Sequence, residues 1–256
     1  MVTIATSSLI NGISIMVVDF IAAFIGVRFL VRYFREKKSL MPYVSMIGFF
    51  WVVNYLGSLV TFWTLVITGT NIDPKLYFLL SYTIAPIAIL NAVWLGFTIF
   101  NPERKKKVFA VYLGIAVVWY IAQFGFTDSM FRISGDINQL NATGTMVNIA
   151  LGSVLIIIAL FYIISIIFVL GGGFYALRNR ITGIDRKRAI YVSIAHILFG
   201  IASIIEAMLG SYGDIIKIIA RTMMATYLVL IYLGFSAKAT AKPDAPEVTA
   251  EKSRTD

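Results

Sequence analysis

The chain has 256 residues, of which 59% are hydrophobic and 14% are charged, whereas average domains are about 45–50% apolar and about 25% charged. This composition excludes an ordinary soluble domain and predicts an all-α, polytopic membrane protein, since seven helices of about 20 residues use most of the chain. The formal net charge of +9 lies mainly in connectors beside the predicted helices, where it faces the lipid bilayer, so we expect no nucleic acid partner.

The residue types that hold metals and cofactors are scarce. The chain has no cysteine and one histidine, which excludes thiolate metal sites and iron–sulfur clusters and argues against a His-rich metal or haem site. We therefore expect no metal and no cofactor. The HExxH motif and other arrangements that activate a nucleophile or a metal-bound water are also absent, so an enzyme is not expected.

Seven apolar segments predict the transmembrane helices. In chain order they cover residues 9–32, 41–67, 76–100, 108–126, 145–177, 188–210 and 213–236. They form a transmembrane domain over 1–236, followed by a charged, proline-containing segment, 237–256, that predicts a disordered cytoplasmic tail. In the fifth helix, Gly171, Gly172 and Gly173 predict a hinge or close helix packing, with a frayed helix end as the alternative.

The connectors alternate between basic and nearly neutral along the chain. The basic ones follow the first, third and fifth helices, and Lys and Arg are retained on the cytoplasmic side of a membrane. We therefore predict a multi-pass protein of the cell membrane with its N-terminus outside and its C-terminus in the cytoplasm. The long outer connector 127–144 contains the glycosylation sequon Asn141-Ala142-Thr143 and is a candidate lid over the bundle.

Ionisable residues within spans are costly and mark functional sites by default. Asp19 and Arg221 lie roughly 15 Å and about 12 Å from the outer ends of their helices, which predicts an ion pair between the first and seventh helices, with Asn54 at similar depth. Glu206 and Lys217 are predicted to pair across the turn between the sixth and seventh helices. Both pairs are candidates for ligand binding or gating. The alternative is a purely structural lock for the first pair and a solvated, shallow ion pair for the second.

The spacing of Asp214, Lys217 and Arg221 places these three residues on one face of the seventh helix. We expect this face to line a polar cavity on the outer side, with Tyr82 and Gln123 as further walls. Two cations there would suit an anionic or zwitterionic ligand.

A second polar pair is predicted nearer the cytoplasmic side. His196 on the sixth helix and Asn91 on the third lie at comparable depth in the predicted bundle. For His196, a hydrogen-bonded packing role is the alternative to a proton relay.

Two known families share the predicted topology and chain size. Microbial rhodopsins need a retinal-binding lysine in the middle of the seventh helix, and the matching segment here, TMMATYLVL, has none. The segments SYTIAPIAILNAVWLGFTIFNPERKKK and DRKRAIYVSIAHILFG resemble the seven-helix sensor region of some prokaryotic histidine kinases. Because the sequence has no kinase domain, this resemblance implies a free-standing sensor that acts through a separate protein.

The sequence therefore predicts a receptor-like sensor that responds to a small ligand or to the state of the membrane and signals through a cytoplasmic or membrane protein partner. Two alternatives stay open. One is a transporter or channel for a small ion or metabolite, with Asp19, Asn54 and Arg221 at its midplane site. The other is an accessory subunit whose intramembrane charges pair with other chains. Assembly into a homo-oligomer is also left open.

Overall fold

The computed structural model describes residues 4–209 and 214–236, and the predicted tail 237–256 lies outside them. Within this part of the chain, seven helical spans are long and apolar enough to cross a membrane, which confirms the predicted all-α, seven-helix fold. The helices are α1 (Thr6–Glu36), α2 (Met41–Asn54), α3 (Leu56–Thr68), α4 (Pro74–Tyr82), α5 (Ala85–Phe100), α6 (Lys105–Gly125), α7 (Ile137–Ala142), α8 (Ser153–Ser165), α9 (Gly172–Leu177), α10 (Gly183–Leu209) and α11 (Asp214–Ser236).

The seven spans use these helices singly or in pairs. Spans 1, 4, 6 and 7 are the continuous helices α1, α6, α10 and α11, whereas span 2 joins α2 to α3 and span 3 joins α4 to α5. Span 5 runs from α8 through a π-helical segment, Ile166–Gly171, into α9. Because consecutive spans run in opposite directions, α1 and α11 begin at the same end of the bundle, which we call the N-terminal end.

The packing of the described residues forms two large hydrophobic clusters and a small third one of Phe62, Leu65 and Met146. The first draws on α1, α2, α10 and α11, and the second on α4, α5, α6 and α8. In the first cluster α11 packs against both α10 and α1, so the last span closes the bundle against the first. At the opposite end, Arg32 of α1 donates hydrogen bonds to the carbonyl oxygens of Phe235 and Ser236 and satisfies the last turn of α11.

The connector between spans 4 and 5 folds back on the N-terminal end of the bundle. Its strands β1 (Phe131–Ile133) and β2 (Ile149–Leu151) pair antiparallel, with Phe131 opposite Leu151. The predicted start of the fifth helix at 145 is therefore wrong, since α8 begins at Ser153. The apolar residues before it extend the second cluster, in which Val147 and Ile149 are buried, instead of continuing the span.

Asn71 ties this connector to the loop between spans 2 and 3. Its Nδ2 donates to Asn141 Oδ1 at 2.8 Å and to the Thr145 carbonyl at 2.9 Å, while its Oδ1 accepts from the Val147 N–H at 2.7 Å. The backbone N–H of Ala5 also donates to the Gly144 carbonyl at 3.0 Å. The candidate lid is thus held by hydrogen bonds against the end of the bundle, and the sequon residue Asn141 takes part in them.

Besides span 2, which is interrupted at Tyr55, spans 3 and 5 depart from regular α-helix for identifiable reasons. Between α4 and α5, Pro86 lacks the N–H that would bond the Tyr82 carbonyl, and the nearby Thr83 carbonyl accepts a hydrogen bond from the Tyr120 hydroxyl at 2.8 Å. In span 5, the Gly171 carbonyl at the end of the π segment accepts from Ser193 Oγ at 2.7 Å.

The three glycines of span 5 lie within continuous helix. A Cβ added at Gly173 would stand 2.7 Å from the Phe100 ring, and one at Gly171 would stand 3.0 Å from Ile197. Of the readings left open from the sequence, close helix packing agrees with this geometry, and a frayed helix end does not.

Candidate functional site: a buried charge network

Glu206 and Arg221 form an ion pair inside the bundle. The Nε of Arg221 donates to Glu206 Oε1 at 2.9 Å, and its Nη2 donates to the same oxygen. The side chains are 8% exposed for Arg221 and 26% exposed for Glu206. The pair therefore links span 6 to span 7 in surroundings where water screens the charges little.

Tyr55 adds span 2 to this pair. Its hydroxyl donates to Glu206 Oε2 at 2.9 Å, and the Arg221 guanidinium carbon lies 4.6 Å from the centroid of its ring, within the range of a cation–π contact. Asn11 Oδ1 on α1 lies 3.5 Å from Arg221 Nη2. We call Tyr55, Glu206 and Arg221 the charge network. It connects three spans through charged or aromatic contacts, and both oxygens of Glu206 are engaged.

The predicted Asp19–Arg221 ion pair is wrong, because Arg221 binds Glu206 instead. The short connection between α10 and α11 places Glu206 beside the first turns of α11, and an arginine side chain leans toward the N-terminus of its own helix. At 1.5 Å per residue, Asp19 lies about 20 Å along α1, whereas Arg221 lies about 10 Å along α11. The side chain of Arg221 thus extends toward Glu206, to which it is bonded.

The predicted Glu206–Lys217 pair is replaced for the same reason. Arg221 and Tyr55 occupy the two oxygens of Glu206. Lys217 is half-buried one turn before Arg221 on α11. The side chain of Asp214, predicted on the same face, lies outside what the structure describes.

Asp19 is buried without a hydrogen bond. The residue is 6% exposed, and neither carboxylate oxygen has a hydrogen-bond partner within the described residues. Its neighbours along the buried face of α1 are the apolar side chains of Ile15, Val18 and Ala22. Arg221 Nη1 is likewise buried and without a hydrogen bond in this part of the chain. The interior of the bundle therefore holds one paired carboxylate, Glu206, and one unpaired carboxyl group, Asp19.

No family model, curated protein or solved structure matches this chain. The chemistry of the network therefore follows from the distances, burial and charges of its own residues. Among the described residues, no group of three His, Asp or Glu side chains lies close enough together to hold a metal ion.

Asn54 and Tyr55 are neighbours in sequence with different surroundings. Asn54 is the half-buried last residue of α2, and its side chain makes no hydrogen bond within the described residues, whereas Tyr55 is 6% exposed and bonded to Glu206. Sequence reasoning selected Asn54 and missed Tyr55. The available signal was a tyrosine near the middle of the span, since a buried tyrosine hydroxyl usually finds a partner.

Tyr82 and Gln123 lie in the second hydrophobic cluster. Gln123 is fully buried, accepts a hydrogen bond from Trp119 Nε1 at 2.9 Å and donates to Thr83 Oγ1 at 3.0 Å. The ring of Tyr82 packs on Phe78 with centroids 5.6 Å apart. These contacts support the bend of span 3, and they do not bring either residue into the charge network.

His196 and Asn91 also have separate partners. His196 Nδ1 donates to the Val192 carbonyl at 2.7 Å, and its ring stacks on Phe174 with centroids 5.8 Å apart. Asn91 Nδ2 donates to the Tyr43 carbonyl at 2.9 Å. The predicted inner polar pair does not form, and His196 makes the hydrogen-bonded packing contacts that were its alternative.

Two grooves on the described surface lie apart from the charge network. The larger, of about 450 Å³, is apolar and lies along α3. The second lies between the last turns of α1 and α11, near Arg32 and Tyr232. Neither is lined by Asp19, Glu206 or Arg221.

Proposed function

We propose that this chain is a seven-helix sensor of the cell membrane, with its N-terminus outside, that signals through a separate cytoplasmic partner. The observation that carries the proposal is the placement of a second carboxyl group, Asp19, in the same buried region as the Glu206–Arg221 pair. A stimulus that changes which acid Arg221 binds would change how span 7 packs against spans 1 and 6.

Energetics favour two discrete arrangements of this kind. Leaving one member of a buried ion pair alone typically costs about 3–5 kcal/mol, so Arg221 is stable only beside a carboxylate. Glu206 on α10 and Asp19 on α1 supply two such positions. A two-state element that a ligand or the membrane can bias is the physical requirement for a switch.

The span that holds Glu206 also reaches the basic end of the bundle. Helix α10 begins at Gly183, carries Arg186, Lys187 and Arg188 in its first two turns, and continues past Glu206. Along its length it packs on the π segment of span 5, where Gly200 fits against Ile167 and Ser193 binds Gly171. π segments often mark functional positions in helices. A displacement of α10 would therefore move the basic connector, which is the surface proposed to meet the partner.

Transport is the second function considered from the sequence, and interrupted helices would support it. Among the described residues, span 2 is interrupted at Tyr55, between α2 and α3, and span 3 bends at Pro86. The carbonyl oxygen of Thr83 at this bend is bonded to Tyr120, so it is occupied by the protein itself. The sensor proposal assigns a role to each of the three ionisable residues Asp19, Glu206 and Arg221.

The proposal is tested by measuring whether the network controls the basic end. Because the sequence has no cysteine, spin labels can be attached to single cysteines introduced at the exposed positions Lys106 and Lys187. Distances between them are measured by double electron–electron resonance in lipid nanodiscs. Glu206→Gln is expected to shift the distance distribution, while the exposed control Glu103→Gln leaves it unchanged.

An unchanged distribution in Glu206→Gln, with the protein still folded, would contradict the sensor proposal. The same variants are then compared for a cytoplasmic protein cross-linked to the tagged chain in native membranes. A partner whose yield changes with Glu206→Gln and not with Glu103→Gln supports signalling. Equal yield in both variants would favour a fixed accessory subunit. Flux into liposomes by the purified chain would favour transport.

A further inference from the structure

We propose that Asp19 is a proton-binding site in the interior of the bundle: the side chain carries a proton while Arg221 is bound to Glu206, and it releases the proton when Arg221 moves to it. This inference deepens the proposed function by naming the proton as the ligand of the sensor. The signalling role of Asp19 rests on the proposed function. Proton binding itself is a separate claim that can be measured on its own.

The surroundings of Asp19 disfavour a carboxylate. An ionised carboxylate buried without a partner is far less stable than its neutral form, and such a group takes up a proton instead. The side chain is 6% exposed, both oxygens lack hydrogen bonds within the described residues, and its neighbours on α1 are Ile15, Val18 and Ala22. A proton neutralises the group with no need for space or further ligands.

The groups that face Asp19 come from the helices packed against α1, which are α2, α3 and α11. They are Tyr55 at the junction of α2 and α3, and Arg221 on α11, with Glu206 of α10 acting through Arg221. Helix α3 holds no titratable side chain, and the other titratable residues of α2 and α11 are Tyr43, Asp214, Lys217, Tyr227 and Tyr232. Arg221 is the cation that acts on the Asp19 carboxyl group, and it is bonded to Glu206, so its position determines whether Asp19 has this counter-charge.

The geometry leaves a donor free for the exchange. Arg221 uses Nε and Nη2 to bind Glu206, while Nη1 is buried and makes no hydrogen bond within the described residues. If Arg221 moves, the Asp19 carboxyl group releases its proton to the solvent and accepts a hydrogen bond from the guanidinium, while Glu206, whose side chain is 26% exposed, remains a carboxylate. The exchange therefore releases one proton, and a lower pH favours the arrangement in which Arg221 is bound to Glu206.

Infrared spectroscopy of the full chain in nanodiscs tests the site. A protonated carboxylic acid has a carbonyl stretching band that carboxylates and amides lack. We expect this band at neutral pH in the wild type and its loss in Asp19→Asn, which keeps the shape of the protonated acid. Asp128→Asn is the matched control, because Asp128 is exposed and pairs with Lys75 at the surface; this variant should retain the band.

The coupling to Arg221 gives a second, directional result. In Glu206→Gln the guanidinium loses its acid and is free to stabilise the Asp19 carboxylate, so the Asp19 band should disappear at a lower pH than in the wild type. A band that is missing from the wild type, or unchanged by Asp19→Asn, overturns proton binding at this site. A shift to higher pH in Glu206→Gln overturns the exchange of Arg221.

The outcomes separate this inference from the proposed function. If the infrared results are as expected while the spin-label distances do not change with pH or with Glu206→Gln, Asp19 binds a proton and the sensor proposal fails. If the distances change and the band is absent, the sensor stands and its ligand is not a proton at Asp19.

Discussion

Gly48 on α2 lies directly against Gly26 on α1, so that a Cβ added at Gly48 would stand 2.5 Å from the Ala22 carbonyl oxygen and 2.9 Å from Gly26 Cα. Small residues at such crossings let two helix backbones approach closely, which is a principal source of helix association in lipid. The contact fixes α2 against α1 about two helical turns before Tyr55 of the charge network.

Gly48→Ala should therefore separate the first two spans and lower stability by about 1–3 kcal/mol, the usual range for overpacking. Unfolding in mixed detergent micelles measures the effect. The matched control is Gly114→Ala on α6, where an added Cβ meets nothing within 4 Å; there the higher helix propensity of alanine should be neutral or stabilising. Equal effects of the two substitutions would contradict the close crossing.

Removing Arg221 should destabilise the bundle strongly. Arg221→Met leaves Glu206 without its cation, and because the Glu206 side chain is 26% exposed, we expect a loss near the lower end of the roughly 3–5 kcal/mol range for broken buried pairs. The double variant Arg221→Met with Glu206→Gln should recover part of this loss. Arg132→Met, at an exposed position on β1, is the control. An additive double variant would show that the two side chains are not coupled.

Ser193→Ala should loosen span 5 at its π segment. The substitution leaves the Gly171 carbonyl without the hydroxyl that it binds at 2.7 Å, and hydrogen bonds between membrane helices average about 0.6 kcal/mol with a maximum of about 1.7 kcal/mol. Amide hydrogen exchange over 166–171 should become faster. Thr226→Ala, which removes an exposed hydroxyl bonded within its own helix to Thr222, should leave exchange in span 5 as it is.

The predicted orientation can be tested with single cysteines. A cysteine at Ser134 in the β1–β2 connector should react with a membrane-impermeant maleimide applied to intact cells. A cysteine at Arg180, which is exposed after α9, should react only after the cells are opened. The reverse pattern would place the N-terminus in the cytoplasm and contradict the distribution of Lys and Arg as a guide to topology.

The spans were predictable because the hydropathy of a segment depends only on its own consecutive residues, and long apolar runs predict transmembrane helices. The start of span 5 was the exception, since Val147 and Ile149 are as apolar as the helix that follows. Gly152 is the residue that separates them: it lies against the backbone of Ser129 and Met130, and its N–H donates to the Met130 carbonyl at 2.7 Å. Gly152 is the N-cap of α8, and glycine is one of the residues preferred at that position. The sequence therefore contained a signal for this helix start.

The ionisable residues of the site were predictable as a set, but their partners were not. A charge in an apolar span stands out in any sequence, which is why Asp19, Glu206 and Arg221 were found. The choice between Asp19 and Glu206 for Arg221 depends on an axial offset of about 10 Å between Asp19 and Arg221 and on the direction in which the arginine leans. Tyr55 was missed because aromatic residues are common in spans, and only its bond to Glu206 sets it apart.

The position of Arg221 in the last span has a consequence for biosynthesis. A nascent chain that has emerged only as far as α10 contains Glu206 without the cation that neutralises it, and α1 has no α11 to cover its buried face. Such an intermediate exposes an acid that lipid does not solvate. Completion of the seventh helix would therefore mark the step at which the chain no longer needs the protection of the insertion machinery, and truncations before Arg221 should be degraded.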